Sequence, residues 1–484
     1  MKQEIKELKL LDLRRSKTAA DIVEGMSRCS FGARMLGEAA ITIKEWIEDK
    51  EKTVVVFDGN KGTSLSSLLA QMAKKKWFSA VKTPNEFARS PLADKAIVIG
   101  VFPDRISEAV FNRAKEAIYI NPFGVVKPGQ IKDGYFPNAV FTDPRFALPA
   151  INCFLEEKLE GRGKTVTEFL AEIKGYGGLS SDVEDGAQTL LKMADDPECF
   201  TFLTLSGAMT IAKMGLVVCD MIDDEMVQAV SSTGALMAHG LVESVGLKHF
   251  KYDPKEDDVS LAKKRLNRVT DTLEPETNLN HIEEVIGNIL KKHKKGPMSP
   301  AIFHKMIGKH LSEKYPKSRG ILKSAYKKRV TVFVPAFHDS EIGNDAYIYN
   351  KKRELKGLPP IVFNQEIDTK TLIDLAVNSK KMGIFTLGGG VPRNYVQNVA
   401  PLIEIMNERL PRLKLPTKKF NYGCRIAPDQ MYYGHLSGCT YSEGMSWRKM
   451  DVNGKFTEIR ADATQVWPFM VKFVMENRGR NLPA

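Results

Sequence analysis

Short apolar runs rich in β-branched and aromatic residues recur along this chain. Several of them end in a glycine, a serine or an acid, and helical spacing follows. Thr53–Phe57 (TVVVF) runs into Asp58 and Gly59, and Ala96–Val101 (AIVIGV) and Ala117–Asn121 (AIYIN) come next. Phe200–Leu205 (FTFLTL) runs into Ser206 and Gly207. Strands that alternate with helices pair through crossovers, so the pattern predicts a parallel α/β sheet. Residues 17–48 are expected to be helical, with Ile22, Val23, Met26, Leu36, Ala39, Ala40, Ile43 and Ile47 at helical spacing and a break near Gly32. A further helix is expected from about Ser64 to Lys76. The charged start, MKQEIKELKLLDLRR, is also helix-like. The Pro- and Gly-rich stretch from Asn121 to Pro149 is expected to be loop, and a boundary falls near Gly161–Lys164.

Beyond that boundary the pattern begins again. Lys164 and Thr165 open a helix with Phe169, Leu170 and Ile173, glycines break it at 175–178, and a second helix holds Ala187, Leu190, Leu191 and Met193. Laying Lys17 on Lys164, an offset of 147 residues, matches Ile22 with Phe169, Val23 with Leu170, Met26 with Ile173 and Ile43 with Leu190. This reads as an internal duplication, although any two helix-break-helix-strand units share such a pattern. Only the second copy continues into a long α/β region. Its strand-like runs are Leu216–Val218, Ala229–Val230, Val330–Val334, Ile361–Phe363, Ile384–Leu387 and Glu458–Ala461. Helices are expected between them, at Ile282–Lys292, Thr371–Lys381 and Tyr395–Arg409. The predicted fold is one doubly wound, Rossmann-like parallel sheet over 164–480, preceded by a smaller, related α/β domain over 1–160.

Composition narrows the partners. The formal charge is +12, but the basic runs at 74–76, 291–295, 327–329 and 351–353 lack interleaved aromatics and match no nucleic-acid motif. A cationic substrate gains nothing from such a surface, so an amine pocket must create its own negative potential. Six cysteines (Cys29, Cys153, Cys199, Cys219, Cys424, Cys439) stand without a C-x-x-C pair, so neither a disulfide frame nor a metal site is expected. No apolar run reaches membrane-spanning length and the charged start holds no apolar signal-peptide core, so a cytoplasmic protein is expected.

Chemistry gathers at strand ends. Ile384–Leu387 runs into Gly388, Gly389 and Gly390, which let backbone N–H groups approach a pyrophosphate. Ser206 follows its strand, as do Ser232, Thr233 and Gly234; Asp339 follows Val330–Val334 through Pro335, and Asp462 follows Glu458–Ala461. Ligands of doubly wound sheets sit at the carboxyl ends of strands, so hydroxyls, glycines and two aspartates there suit a dinucleotide. Each element alone is also ordinary turn chemistry. The stretch from Gly434 to Lys449 adds Ser437, Gly438, Glu443, Trp447 and Lys449. A lysine beside an aromatic wall and next to Arg448 would have a lowered pKa and could form an imine, with Glu443 holding a cationic substrate. A lysine beside tryptophan is more often a snorkelling surface side chain.

The chain resembles the deoxyhypusine synthases and their bacterial relatives, the deoxyhypusine synthase-like proteins and homospermidine synthases. The resemblance rests on L-S-G-A-M (Leu205–Met209), S-T-G-A (Ser232–Ala235) with His239 after it, and P-A-F-H-D-S-E-I-G (Pro335–Gly343). It continues through L-G-G-G-V-P-R-N (Leu387–Asn394), L-S-G-C-T-Y-S-E-G-M-S-W-R-K (Leu436–Lys449) and A-D-A-T (Ala461–Thr464). The first copy resembles the family's amino-terminal segment through Phe31–Ala40. The resemblance implies an NAD-dependent transfer of an aminobutyl group from a polyamine such as spermidine, through a lysine imine, to an acceptor amine. It puts Lys449 at the imine lysine, Trp447 and Glu443 in the substrate pocket, and Asn394, Asn344 and His239 at substrate-pocket positions. Ser206, Ser232, Thr233, Gly234, Asp339, Gly388, Gly389, Asp462 and Ala463 stand at or near NAD contacts. It also implies a homotetramer with sites between subunits.

The departures concern charge. Carboxylates that eukaryotic members carry are replaced near Leu236–His239, at Leu436 and at Asn344, with Asp345 one step on; a histidine is replaced by Asn394, and Arg448 stands where a glycine precedes the lysine. The expected activity is therefore homospermidine synthase-like transfer to a small amine. Modification of a translation-factor lysine and a non-catalytic NAD-binding scaffold are the alternatives.

Overall fold

The computed structural model describes residues 6–57, 59, 62–100, 110–122, 124, 138–293 and 296–479. Asp58, Val101, the first five residues and part of the Pro- and Gly-rich stretch after Asn121 lie outside them.

Two units follow one another, and the same local device opens each. Thr18 accepts from the Asp21 N–H while Asp21 reaches back to the cap backbone, so α1 (Ala19–Met26) begins in a capping box. α2 (Phe31–Glu48), β1 (Thr53–Phe57), α3 (Ser64–Lys74), β2 (Ala80–Lys82), α4 (Pro84–Ala88), β3 (Ala93–Ile99), β4 (Ala114–Ile120), β5 (Ala139–Val140) and α5 (Pro144–Glu160) complete the first unit. The left-handed Gly161 ends α5. Thr165 then pairs with Glu168 in the same capping box and opens α6 (Val166–Ile173). The second unit continues with α7 (Leu179–Asp195), β6 (Cys199–Leu205), α8 (Gly215–Asp223), β7 (Ala229–Ser232), α9 (Gly234–Ser244), β8 (Phe250–Lys251), α10 (Asp258–Lys263), β9 (Leu266–Val269) and β10 (Thr272–Pro275). After these come α11 (Glu276–Leu290), α12 (Pro300–Lys314), α13 (Ile321–Lys328), β11 (Thr331–Phe333), α14 (Glu341–Glu354), α15 (Glu366–Asn378) and β12 (Lys381–Leu387). The chain closes with α16 (Gly390–Gln397), α17 (Val399–Arg409), β13 (Phe420–Ile426), α18 (Tyr441–Ser446), β14 (Met450–Ile459) and α19 (Ala463–Asn477).

Both large sheets are wholly parallel. The first runs β2-β1-β3-β4-β5 and the second β11-β7-β6-β12-β13-β14. Leaving out the edge strand β11, the order is the same: the first strand lies between the second and the third, and two more extend one side. In the larger sheet the chain leaves β6 outward through β7 and β11, then returns to β12 on the other side of β6. The topological switch point therefore lies between β6 and β12, where doubly wound sheets take their ligands. Each unit also ends alike. An aspartate, Asp143 or Asp462, caps the last helix, and a proline, Pro149 or Pro468, sits inside it.

A continuous apolar core joins the units. Phe146 of α5, Phe169 of α6 and Phe469 of α19 meet with ring centroids 5.3–6.4 Å apart. Beside this core β8, β10 and β9 form a small antiparallel sheet, reached by the amino-terminal segment through a bridge from Glu7 to Phe250. The six cysteines are free thiols. No described helix is long and apolar enough to cross a membrane.

Several local expectations are corrected. Leu216–Val218 is not a strand but part of α8, whose Val217, Val218, Cys219, Met221 and Ile222 are all buried. A short apolar run buried all round carries no period to separate strand from helix. Of Ile361–Phe363 only Phe363 makes a bridge, to Met298. Residues from Lys6 to Arg15 are not helical. Pro144–Pro149 opens a helix instead of belonging to a loop, since proline fits the first turn. The helix expected over 371–381 spans Glu366–Asn378, with Lys381 already in β12. That expected over 395–409 divides at Asn398. β13 went unrecognised because Asn421, Gly423 and Arg425 dilute its apolar pattern.

Candidate functional site

At the switch point the ends of β6 and β12 are laced together. The Ser206 N–H donates to the Leu387 carbonyl at 3.0 Å. The Ser206 hydroxyl donates to the same carbonyl at 3.1 Å and accepts from the Gly389 N–H at 2.8 Å. Gly388 has φ +76°, and a Cβ there would lie 2.2 Å from the Ser206 hydroxyl. A Cβ on Gly389 would lie 2.4 Å from the Cα of Ser437. The glycines are thus demanded by close approach on both sides. α16 starts at Gly390, and its cap residue Gly389 offers no side chain. α9 starts behind Thr233, whose hydroxyl makes no capping bond. Two helix amino termini at one sheet edge therefore keep first-turn N–H groups without a side-chain cap, which is the donor arrangement that takes phosphate oxygens. Asp339 stands exposed at the end of β11, and Asp462 at the end of β14 is partly buried. Ser232 is buried and its hydroxyl donates to the Thr233 carbonyl. Gly234 is pressed on the Ser340 side chain, 2.5 Å from a would-be Cβ. Hydroxyls, uncapped helix ends, close-approach glycines and carboxylates on one edge fit a dinucleotide.

The second half of the site is built by the turn from α18 into β14. Thr440 caps α18 by accepting from the Glu443 N–H at 3.0 Å. The helix ends at Trp447, and Arg448 takes the left-handed conformation, φ +59°. That reversal sends neighbouring side chains in opposite directions. Arg448 reaches out to Glu404 of α17, 3.1 Å away. Lys449 turns inward and is only 9% exposed. Its Nζ donates to Asn394 Oδ1 at 3.0 Å and lies 5.8 Å from the ring centroid of Trp447. It opens on a cavity of about 300 Å³ lined by Arg393, Asn394, Gln397, Cys439, Glu443 and Trp447 among others.

Burial holds the Lys449 pKa below the ordinary lysine range and Arg393 pushes the same way, while Cys439 and Glu443 oppose them. The cation expected at Lys449 was Arg448; the structure supplies Arg393 instead, because Arg448 is spent on Glu404. Trp447 is 63% exposed, so it covers one side of the pocket and does not keep the lysine dry; the surrounding fold does. Arg393 also anchors the cavity wall: its Nη1 donates to the carbonyls of Leu436 and Cys439 at 2.8 and 2.9 Å. Arg425 holds the Ser437 carbonyl at 2.8 Å.

One helix ties the halves together. α16 begins at the glycine turn and, one turn later, presents Asn394 to Lys449.

The other expected residues are placed elsewhere. His239 does not line the cavity. Its Nδ1 lies 2.6 Å from Glu274, which also faces His249 Nε2 at 3.2 Å. Burial pushes the Glu274 carboxyl up, but the two imidazoles outweigh it and hold it at about 2. The ring nitrogens and a Glu274 oxygen lie within 4.8 Å of one another, as metal ligands would. Yet Lys213 sits 2.8 Å from His249 Nδ1 and 2.7 Å from Glu243, so an ammonium already faces this cluster. Asn344 is exposed in the first turn of α14 and does not line the cavity either. Asp462 caps α19 through the Thr464 N–H at 2.8 Å, and Ala463 is buried behind it. Sequence reasoning missed Arg393, Gln397 and Arg425; only Arg425, an arginine between Cys424 and Ile426, carried a signal.

The family model for deoxyhypusine synthase matches residues 168–474. The "Probable deoxyhypusine synthase 2" of Archaeoglobus fulgidus is 31% identical over 280 residues, covering 58% of this chain and 88% of that protein. The "Probable deoxyhypusine synthase 1" of Methanosarcina mazei is 28% identical over 310 residues, 64% of this chain and 90% of its own length. The "Deoxyhypusine synthase-like protein" of Chlorobaculum parvum is 28% identical over 331 residues, 67% and 91%. The first unit, up to α5, precedes the residues that the family model matches.

Proposed function

Because the chain belongs to the deoxyhypusine synthase family, whose members are NAD-dependent aminobutyl transferases, we propose that it transfers an aminobutyl group from a polyamine to a small acceptor amine through Lys449, in the manner of a homospermidine synthase. The observation that carries this reading is the hydrogen bond from the buried Lys449, whose pKa burial holds below the ordinary lysine range, to Asn394, on the very helix that starts at the glycine turn. NAD, the family's cofactor, would be held by the N–H groups that open α9 and α16 and by Thr233, Gly388, Asp339 and Asp462. Bound there, it supplies the hydride acceptor that makes an amine carbon electrophilic and later returns the hydride. The rest falls to the chain. Lys449 Nζ, unprotonated, adds to that carbon, and the original amine leaves with the proton. Asn394 Oδ1 takes the remaining N–H and aims the lone pair. Glu443 binds the ammonium end of the aminobutyl group, and Trp447 lies along its methylenes.

Glu443 is the one carboxylate among the residues lining the cavity, beside several donors, which supports a substrate with fewer paired cations than a site rich in acids would select. A second reading, transfer to a lysine on a protein, is favoured by the apolar mouth: Leu436 and Trp447 at the cavity and Met431, Tyr432 and Tyr433 in the loop before it are all exposed. The same exposed residues support a homo-oligomer, a tetramer on the family pattern, which light scattering tests. Six free thiols support a cytoplasmic protein.

The test is mass spectrometry of the protein with NAD and a panel of amines, with and without borohydride. We expect a new polyamine and a reduced adduct on Lys449, both absent from Lys449→Ala. Product formed unchanged by Lys449→Ala would sink the imine mechanism.

A further inference from the structure

The amino-terminal unit reaches the carboxyl edge of the larger sheet through the first turn of α2. Its cap residue Ser30 makes no capping bond of its own. The second unit caps the helix in its place. The Phe31 N–H donates to Asp271 at 3.1 Å. The Gly32 N–H faces the Asp462 carboxylate, and the Ala33 N–H donates to the Thr464 hydroxyl at 2.9 Å. Gln465 Nε2 returns a bond to the Gly32 carbonyl at 3.1 Å. Arg34, one residue further, is paired with Asp271 at 2.6 Å, and both side chains are 1% exposed.

This contact is close as well as polar. A Cβ on Gly32 would lie 2.2 Å from Asp462 Oδ2 and 3.0 Å from Gln465 Nε2. Oδ1 of the aspartate is held by the Thr464 N–H and hydroxyl at 2.8 and 2.9 Å, and Oδ2 packs against the backbone of α2 at Gly32. The reciprocal contact exists at the other unit's end helix, where a Cβ on Gly178 would meet Arg145 at 2.1 Å and the Ser180 hydroxyl donates to the Arg145 carbonyl at 2.6 Å.

We propose that the amino-terminal unit is a positioning element of the dinucleotide edge: the first turn of α2, Phe31 to Ala33, fixes the side chain of Asp462 and the start of α19 in the orientation that receives the cofactor. This rests on the reading of Asp462 as a cofactor contact. Asp462 is partly exposed at the sheet edge, so its remaining lone pairs can accept from ribose hydroxyls only if its rotamer is set. The rotamer is set by backbone that arrives from another unit of the same chain. The helix end contributes its partial positive charge and the fixed direction of an N–H.

The experiment titrates NAD against the full-length protein by calorimetry, with melting temperature recorded for each variant. Asp462→Asn reports whether the aspartate is a cofactor contact. Gly32→Ala displaces the aspartate. Gly37→Ala is the structural control: its Cβ would strike the Ser27 backbone at 2.3 Å, loosening α1 against α2 away from Asp462. We expect Gly32→Ala to weaken NAD about tenfold, the scale of one charge-assisted hydrogen bond, and Gly37→Ala to lower the melting temperature with NAD affinity unchanged. Equal loss of affinity in both, or wild-type affinity in Gly32→Ala, overturns the proposal while Asp462→Asn still shows the cofactor contact. Wild-type affinity in Asp462→Asn overturns the cofactor reading and this proposal with it. Should Gly32→Ala fail to fold, Gln465→Met removes the bond to the Gly32 carbonyl without added bulk, and unchanged NAD affinity there overturns the proposal.

Discussion

At the scale of single residues, backbone handedness decides which of two adjacent cations does chemistry. Arg448 and Lys449 are neighbours in sequence, but φ +59° at Arg448 sends them apart. Arg393, buried against Tyr441 at 5.4 Å, is the cation that bears on Lys449. Replacing it with methionine removes a charge that disfavours the ammonium, so the Lys449 pKa rises. The rising limb of adduct formation against pH should then move to higher pH in Arg393→Met and less so in Arg393→Lys; a limb that stays put would show that burial alone sets the lysine. Asp345 offers a second test, of stability. Burial, with repulsion from Glu283 and Glu341, pushes its carboxyl up to about 7. The folded state therefore binds this proton more tightly than an unfolded chain, whose aspartates titrate near 3.9. Below that value the group has no effect, between about 4 and 7 rising pH costs stability, and above 7 the cost is complete. Asp345→Asn should raise the melting temperature by about 2 °C at pH 8 and leave it unchanged at pH 4.

At the scale of elements, helix ends carry most of the organisation. Thr18 and Thr165 cap α1 and α6 from within, by local spacing. α2 instead is capped by side chains more than two hundred positions away. The buried pair of Arg34 and Asp271 secures that end, and breaking a buried pair by removing one partner costs about 3–5 kcal/mol because the other charge stays buried. Arg34→Met should lower unfolding free energy by about that amount in denaturant titration, whereas Lys44→Met, which loses only an exposed bond to Glu48 on the same helix, should cost less than about 1 kcal/mol. α9 and α16 are the opposite case, helices left without side-chain caps where the site needs free N–H groups.

At the scale of the whole molecule, two similarly ordered sheets share one apolar core. Leu36, Ile151 and Phe154 of the first unit and Leu170, Leu190, Trp467 and Val471 of the second belong to the same buried cluster. Units joined in this way lose their contacts together, so scanning calorimetry should show a single unfolding transition. Two separated transitions would mean that the units are thermodynamically independent and that the contact at Gly32 is a surface apposition.

Sequence alone determined the parallel α/β class, the position of most strands of the two parallel sheets and the glycine turn at Gly388–Gly390. These follow from hydrophobic period and turn chemistry, which act over a few residues and are written into each segment. Lys449, Trp447 and Glu443 were legible for the same reason, being near one another in the chain. Only the tertiary structure decided that Arg393 faces the lysine, that Asn394 receives its hydrogen bond, that His239 is committed to Glu274, and that α8 is a helix. It alone brought Gly32 to Asp462. Each of these depends on which buried polar group finds which partner when strands distant in sequence come to lie side by side. Desolvation makes an unpaired polar group costly wherever it is buried, but it does not say in advance which partner will satisfy it.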